Sequence, residues 1–309
     1  MTGVQTCALP IYLRTSSKGS VNETMKKNLR LYTLPLLLCL GVTPVLAQAK
    51  EGAPSKGRNK GKLYAFWGWN RAHYTNSDIE FTGDTYDFTL KSTAADDKQT
   101  SFSFNQYFNP TKLTNSQTNV RVGYFFADHW DVAIGLDHMK YVMQQNQTVK
   151  VDGYIANSGT QFDGVYIDDD VVLTDDFVTF EHTDGLNYIF LEINRSDELL
   201  KKATENLWWL TLEITEGFSA GALYPKTNTK LLGNERYDAF HLSGYGLSLK
   251  VGLRLTLVKY FLIQSEAKGG FIHMPDIRTT SNSSDRASQH FGFFQYNILI
   301  GAAIPLTKQ

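Results

Sequence analysis

Thiols are nearly missing from this chain. Its two cysteines, Cys7 and Cys39, both precede residue 47. The remainder therefore has no disulfide framework and no zinc or iron–sulfur centre held by cysteine. Leu38 stands before Cys39, where a lipoprotein signal carries a small residue, which argues against lipidation. Beyond residue 47 there is also no run of ~18 apolar residues, the length a membrane helix needs. A helical membrane protein is excluded on that ground, even though 42% of residues are hydrophobic and 13% aromatic. Positive charge is not in excess: Lys and Arg number 30 against 31 Asp and Glu. Residues 1–47 hold five of those bases and one of the acids, leaving 25 against 30. A net charge near minus five gives no support for a nucleic-acid partner.

What is present begins with a tripartite secretory signal: a basic start at Met25-Lys26-Lys27-Asn28-Leu29-Arg30, an uncharged leucine-rich stretch over 31–47, and small residues at Ala47 and Ala49. Residues 1–24 fit no part of such a signal, and 1–11 look like translated sequencing-adapter read-through. The expected organisation is a non-native leader over 1–24, a signal peptide over 25–47, a flexible periplasmic lead-in over 48–61 and one β-barrel domain over 62–309. The lead-in reading rests on the Gly- and Lys-rich composition of 51–62.

From Leu63 onward, stretches of about ten residues alternate apolar with polar or small, the period of strands. The clearest row is Leu247, Leu249, Val251, Leu253, Leu255 and Leu257, interleaved with Gly246, Ser248, Lys250, Gly252, Arg254 and Thr256. Tight connections at Asp128-His129-Trp130 and Lys259-Tyr260-Phe261 alternate with long polar ones at 144–176 and 274–289. Short turns at one end and long loops at the other predict an all-β, transmembrane, antiparallel up-and-down barrel rather than a soluble sandwich. The expected strands number about ten, within a range of 8–12: 62–73, 79–91, 99–108, 117–127, 131–143, 177–194, 206–222, 241–258, 262–273 and 290–306. An even count returns both ends to the periplasm. A further hairpin pairing 147–153 with 164–168 would lie in the membrane or stand above it. Trp130, Tyr260 and Phe261 at turns, with Trp208 and Trp209 at a strand start, suit an interfacial girdle, which Trp67 and Trp69 do not obviously join.

Four segments carry a family likeness: 137–143 (DHMKYVM), 181–188 (EHTDGLNY), 240–246 (FHLSGYG) and 268–280 (KGGFIHMPDIRTT). They resemble a largely uncharacterised group of outer-membrane barrel proteins common among Bacteroidota-type bacteria, over most of 61–306. The resemblance implies fold and outer-membrane location and brings no known activity. The chain departs from barrel-assembly signals in ending Ala303-Ile304-Pro305-Leu306-Thr307-Lys308-Gln309, with no terminal aromatic.

Facing parity then assigns side chains. With Val120, Val122, Tyr124 and Phe126 toward lipid, Arg121 points inward; with Val132, Ile134 and Leu136 toward lipid, so does Asp137. A three-residue turn at 128–130 sets Arg121 opposite Asp137. A turn at 259–261 sets Arg254 opposite Glu266, with Lys250 and Lys268 on the same inward face. Opposed charges in so narrow a barrel predict a lumen closed by ion pairs. The same parity sends His138 and Lys140 outward near the outer interface, where contact with lipid A phosphates is expected.

His182, Asp184 and His241, at outer strand ends, are the candidate catalytic residues, a histidine serving as base and a carboxylate orienting it. A lone His beside a carboxylate is more often an ordinary hydrogen-bonded pair. Asp168, Asp169, Asp170, Asp175 and Asp176 lack the spacing of a calcium loop and read as solvated, and Gly269-Gly270 reads as a backbone bend in a strand. No metal or other cofactor is expected. Partners should be outer-membrane lipid and lipopolysaccharide, with barrel-assembly and periplasmic chaperone machinery on the way there. Three roles remain open: a non-enzymatic barrel whose loops bind a ligand or partner, an outer-membrane hydrolase, and a narrow solute channel.

Overall fold

The computed structural model describes residues 59–101, 103–107, 116–199, 207 and 209–306. The expected leader and signal, both cysteines, Trp208 and 307–309 lie outside them. In chain order the first strands are β1 (Lys62–Tyr74), β2 (Ser77–Gly83), β3 (Tyr86–Thr93), β4 (Ala95–Asp96) and β5 (Thr118–Phe125). Next come β6 (Trp130–Met139), β7 (Val142–Met143), β8 (Thr148–Ile155), β9 (Gly164–Val172) and β10 (Val178–Glu181). The remainder are β11 (Leu186–Leu199), β12 (Leu210–Leu223), β13 (Lys226–Leu231), β14 (Tyr237–Phe240), β15 (Gly244–Leu257), β16 (Phe261–Arg278) and β17 (Arg286–Pro305).

Eight of these form a ring of antiparallel neighbours in the order β1, β5, β6, β11, β12, β15, β16, β17. The ring closes because β17 also pairs with β1, from Lys62↔Pro305 to Tyr74↔Phe293. Outward residues are apolar and solvent-facing: Leu249 is 66% exposed, and Ile134, Leu191 and Ile298 behave alike. Inward residues are polar and buried, among them Ser248, Lys250, Arg254, Gln295 and Asn297. A water-soluble barrel would reverse those faces. This inversion makes the chain a transmembrane β-barrel of the outer-membrane type and places it in a bacterial outer membrane. The tight turns of β5–β6 and β15–β16 share the periplasmic end with Lys62 and Pro305, and the long connections lie outside.

The ring has eight strands where ten were counted. Residues 79–91 form the β2–β3 hairpin around Asp84-Thr85, and 103–107 hold one helical turn, Phe104–Tyr107, in place of a strand. The span 177–194 divides into β10 and β11 at His182–Gly185, where Gly185 adopts φ +135. The proposed 147–153/164–168 hairpin exists as β8–β9 and stands above the barrel.

These extra strands build an external cap. The outer end of β17 continues the barrel sheet into β2, β3, β8 and β9, while β14, β13, β10, β7 and β4 make a second sheet. Ile79, Phe81, Phe88 and Leu90 from the first meet Met143, Phe177, Phe180 and Leu231 from the second and its flanks in one buried cluster. That cluster runs on through Tyr141 and Phe291 to Tyr188, Phe190 and Phe293 at the top of the barrel. The last strand, β9, carries the acidic run expected as a loop. Lys150 lies 3.1 Å from Asp170, and Lys91 pairs with Asp152. Asp168 at φ +56 and the Asp169 carboxylate on the Ile167 N–H break the regularity of the strand, which blunts a sheet edge against pairing with another chain.

Candidate functional site

The lumen is filled in three layers. Nearest the periplasm, Tyr64, Phe66 and Phe125 surround the Arg254 guanidinium at 5.5–5.7 Å from each ring centre. Arg254 donates to Gln264 Oε1 at 2.8 Å and Ser196 Oγ at 3.2 Å. In the middle, Arg121 forks onto Glu266 with bonds of 2.8 and 2.5 Å. Lys250 reaches Glu192 at 2.7 Å and Glu266 at 3.3 Å, and Asn297 and Gln264 add donors to Glu266 at 2.7 Å. Above them, Lys268 bonds Asp137 at 2.6 Å and sits 3.8 Å from the Phe190 ring centre. All seven charged side chains of these layers are nearly inaccessible to solvent.

The inward facing of Arg121, Asp137, Lys250, Arg254, Glu266 and Lys268 is as expected, but two pairings are corrected. Arg254 lies opposite Gln264, not Glu266, and Arg121 lies opposite Gly135, not Asp137, from which it stands 3.8 Å away. Both registers differ by two residues because the turns run from Leu257 to Phe261 and from Phe125 to Asp131. An even shift keeps every side chain on its face. Guanidinium and ammonium groups then reach across the lumen rather than to a neighbouring strand. Glu192 was not foreseen. For two of the long cations a detectable signal was the glycine facing them: a Cβ at Gly135 would meet the Phe190 ring at 2.4 Å and Arg121 Cγ at 3.1 Å, and one at Gly217 would meet Lys250 Cε at 2.8 Å.

His138 and Lys140 are also corrected. Both are buried, so the expected lipid A contact is not available to them. The alternation of β6 ends at Leu136, and the segment following β4 covers the outer end of the strand. Lys140 Nζ bonds Thr100 Oγ1 at 3.3 Å, and His138 Nδ1 pairs with Asn187 Oδ1 at 2.8 Å.

The three catalytic candidates do not form one constellation. Asp184 pairs with Lys226 at 3.4 Å, and His241 Nε2 with Asp276 Oδ2 at 2.9 Å. His182 is buried in the cap beside the rings of Tyr141 and Phe180, its Nδ1 2.9 Å from Thr227 Oγ1. Burial pushes its imidazole down from 6.5 to about 3. The folded cap therefore holds it neutral, while the unfolded chain protonates it near pH 6.5. Cap stability is expected to be full above that pH and to fall below it, by at most about 1.4 kcal/mol per pH unit, until His182 itself titrates. Chemical unfolding followed between pH 7 and 4 checks this: His182→Gln should flatten the slope, and an unchanged slope would refute the assignment.

Two clefts open on the cap, the larger one polar and the smaller one mixed, with Val142, Met143 and Phe180 in its wall. One, of about 470 Å³, lies between Asn234–Tyr237 and the tip of the β16–β17 hairpin, and Arg236 forms part of its wall. Arg236 also lines a second cleft, of about 200 Å³, beside Glu181 and Asn228.

No family model and no curated protein matches the chain. Among solved structures it is similar to the outer membrane protein OprG of Pseudomonas aeruginosa at 11% identity, covering 81% of this chain and 99% of that one, with a TM-score of 0.37. It is also similar to Ail, the attachment invasion locus protein of Yersinia pestis, at 9% identity over 79% and 99% of the two chains, with a TM-score of 0.32. Neisserial surface protein A is a third, at 8% identity over 76% and 98%, with a TM-score of 0.30.

Proposed function

We propose that this chain is a non-enzymatic outer-membrane barrel, of the Bacteroidota-type group its segments resemble, that uses its external cap to bind a ligand or partner. The observation carrying this reading is the division of labour in the molecule. Charged pairs and aromatic rings occupy the lumen from the Arg254 layer to Phe293, whereas the exposed clefts belong to the cap. Arg121, Lys250 and Lys268 each reach a carboxylate across the lumen, so paired side chains stand in the way of a conducting path. Outer-membrane lipid and lipopolysaccharide surround the apolar band, and barrel-assembly and chaperone machinery deliver the chain to it. Purified protein in planar bilayers is expected to produce no stepwise conductance; reproducible steps from the wild-type barrel would favour the channel instead.

A further inference from the structure

We infer that the clefts flanking Arg236 form a binding site for a neutral oligosaccharide; the inference rests on the ligand-binding reading of the cap and names the class of ligand. The larger cleft is walled by Asn234, Glu235 and Tyr237 on one side and Thr280, Asn282 and Asp285 on the other. Sites for small apolar ligands are lined mostly by hydrophobic side chains. Here amide, carboxylate, hydroxyl, phenol and guanidinium groups crowd together. A sugar hydroxyl both donates and accepts, so vicinal hydroxyls match a wall that mixes carboxylates and amides with a forked guanidinium.

The charge balance selects against a phosphorylated or acidic ligand. In the larger cleft Glu235 and Asp285 stand against the single lining cation Arg236, while Glu181 beside the smaller cleft pairs with Lys98 at 3.4 Å. Tyr237 adds an amphipathic ring, suited to the mixed C–H and hydroxyl surface of a pyranose.

Among the described residues the Arg236 guanidinium makes no hydrogen bond where the ligand would lie. The nearest carboxylate oxygen to Arg236 among the described residues is Glu181 Oε1 at 3.9 Å, beyond hydrogen-bond reach. The opposite wall is already ordered: Thr280 Oγ1 donates to Asp285 Oδ2 at 2.6 Å and accepts from the Asn282 N–H at 3.0 Å, and Arg278 donates to Ser283 O at 2.8 Å. An ordered wall reduces the entropy lost on binding. Because Arg236 borders both clefts, a ligand of several sugar units can engage it from either side.

The test uses the full chain in nanodiscs, applied to an array of neutral plant- and host-type oligosaccharides and of dephosphorylated lipopolysaccharide core oligosaccharide. Retention of at least one neutral glycan is expected. Retention on the first set identifies an environmental ligand, and on the second a ligand from the bacterial surface. Arg236→Ala and Asn282→Ala should each weaken binding tenfold or more, Arg236→Lys should weaken it less, and Lys91→Ala, on the other sheet, should leave it unchanged. Each variant must keep the heat-modifiable gel mobility of the wild type. No retention above empty nanodiscs, or binding that survives both alanine substitutions, overturns the inference. A non-conducting barrel that retains no glycan overturns the oligosaccharide site alone, whereas stepwise conductance counts against the closed barrel whatever the array shows.

Discussion

Replacing Arg121 by alanine is expected to lower the unfolding free energy of the barrel by about 3–5 kcal/mol, the range for removing one partner of a buried ion pair. The guanidinium is the hub of the middle layer. It forks onto Glu266 and stands 3.9 Å from Glu192 and 3.8 Å from Asp137. Without it, Lys250 and Lys268 must compensate all three carboxylates in a region from which solvent is excluded. The Arg121→Ala/Glu266→Ala double variant removes both charges and should cost clearly less than the sum of the single changes. Arg254→Ala/Glu266→Ala should show weaker coupling, since those side chains meet only through Gln264. Urea unfolding in detergent micelles measures both cycles, and additivity in the first would mean that the Arg121–Glu266 fork is absent from the folded barrel.

Phe177→Ala is expected to cost a similar amount, about 3–5 kcal/mol, but to take it from the cap. Phe177 is fully buried; its ring stacks 5.7 Å from Phe88 on the facing sheet and lies 4.7 Å from Phe162. The cavity left behind would loosen the contact between the two cap sheets, while the eight-strand ladder below keeps its hydrogen bonds. Elements with separate packing open separately. Limited proteolysis of intact cells should therefore cut the variant within 75–117 and 140–185 faster than wild type, with heat-modifiable mobility retained. Loss of that mobility would show that cap and barrel unfold as one unit.

Strand period and facing were legible because both are local. Leu247 to Leu257 alternate with Ser248, Lys250 and Arg254, and no tertiary contact is needed to see that one face suits lipid and the other a polar lumen. The inward parity of Arg121, Asp137, Glu266 and Lys268 was legible for the same reason. The clefts were not: Asn234 to Tyr237 and Thr280 to Asp285 are polar loop residues like many others until the fold sets them face to face.

The amino-acid sequence by itself determined that this is a closed antiparallel barrel with an even number of strands, an apolar exterior and a charged interior, because alternation and the contrast of short with long connections are properties of the chain alone. Tertiary structure decided how many strands span, which charges meet and where the catalytic candidates and lipid contacts lie. Alternation in 79–91 is the same whether Phe81 and Phe88 face lipid or face Phe177 and Phe180 across a protein core, so only folding separates a membrane strand from a cap hairpin. Pairing across the lumen depends on turn length and on reach through space. The Arg121 guanidinium finds Glu266 on β16, three barrel strands away with β1 and β17 between, rather than Asp137 on the adjacent strand.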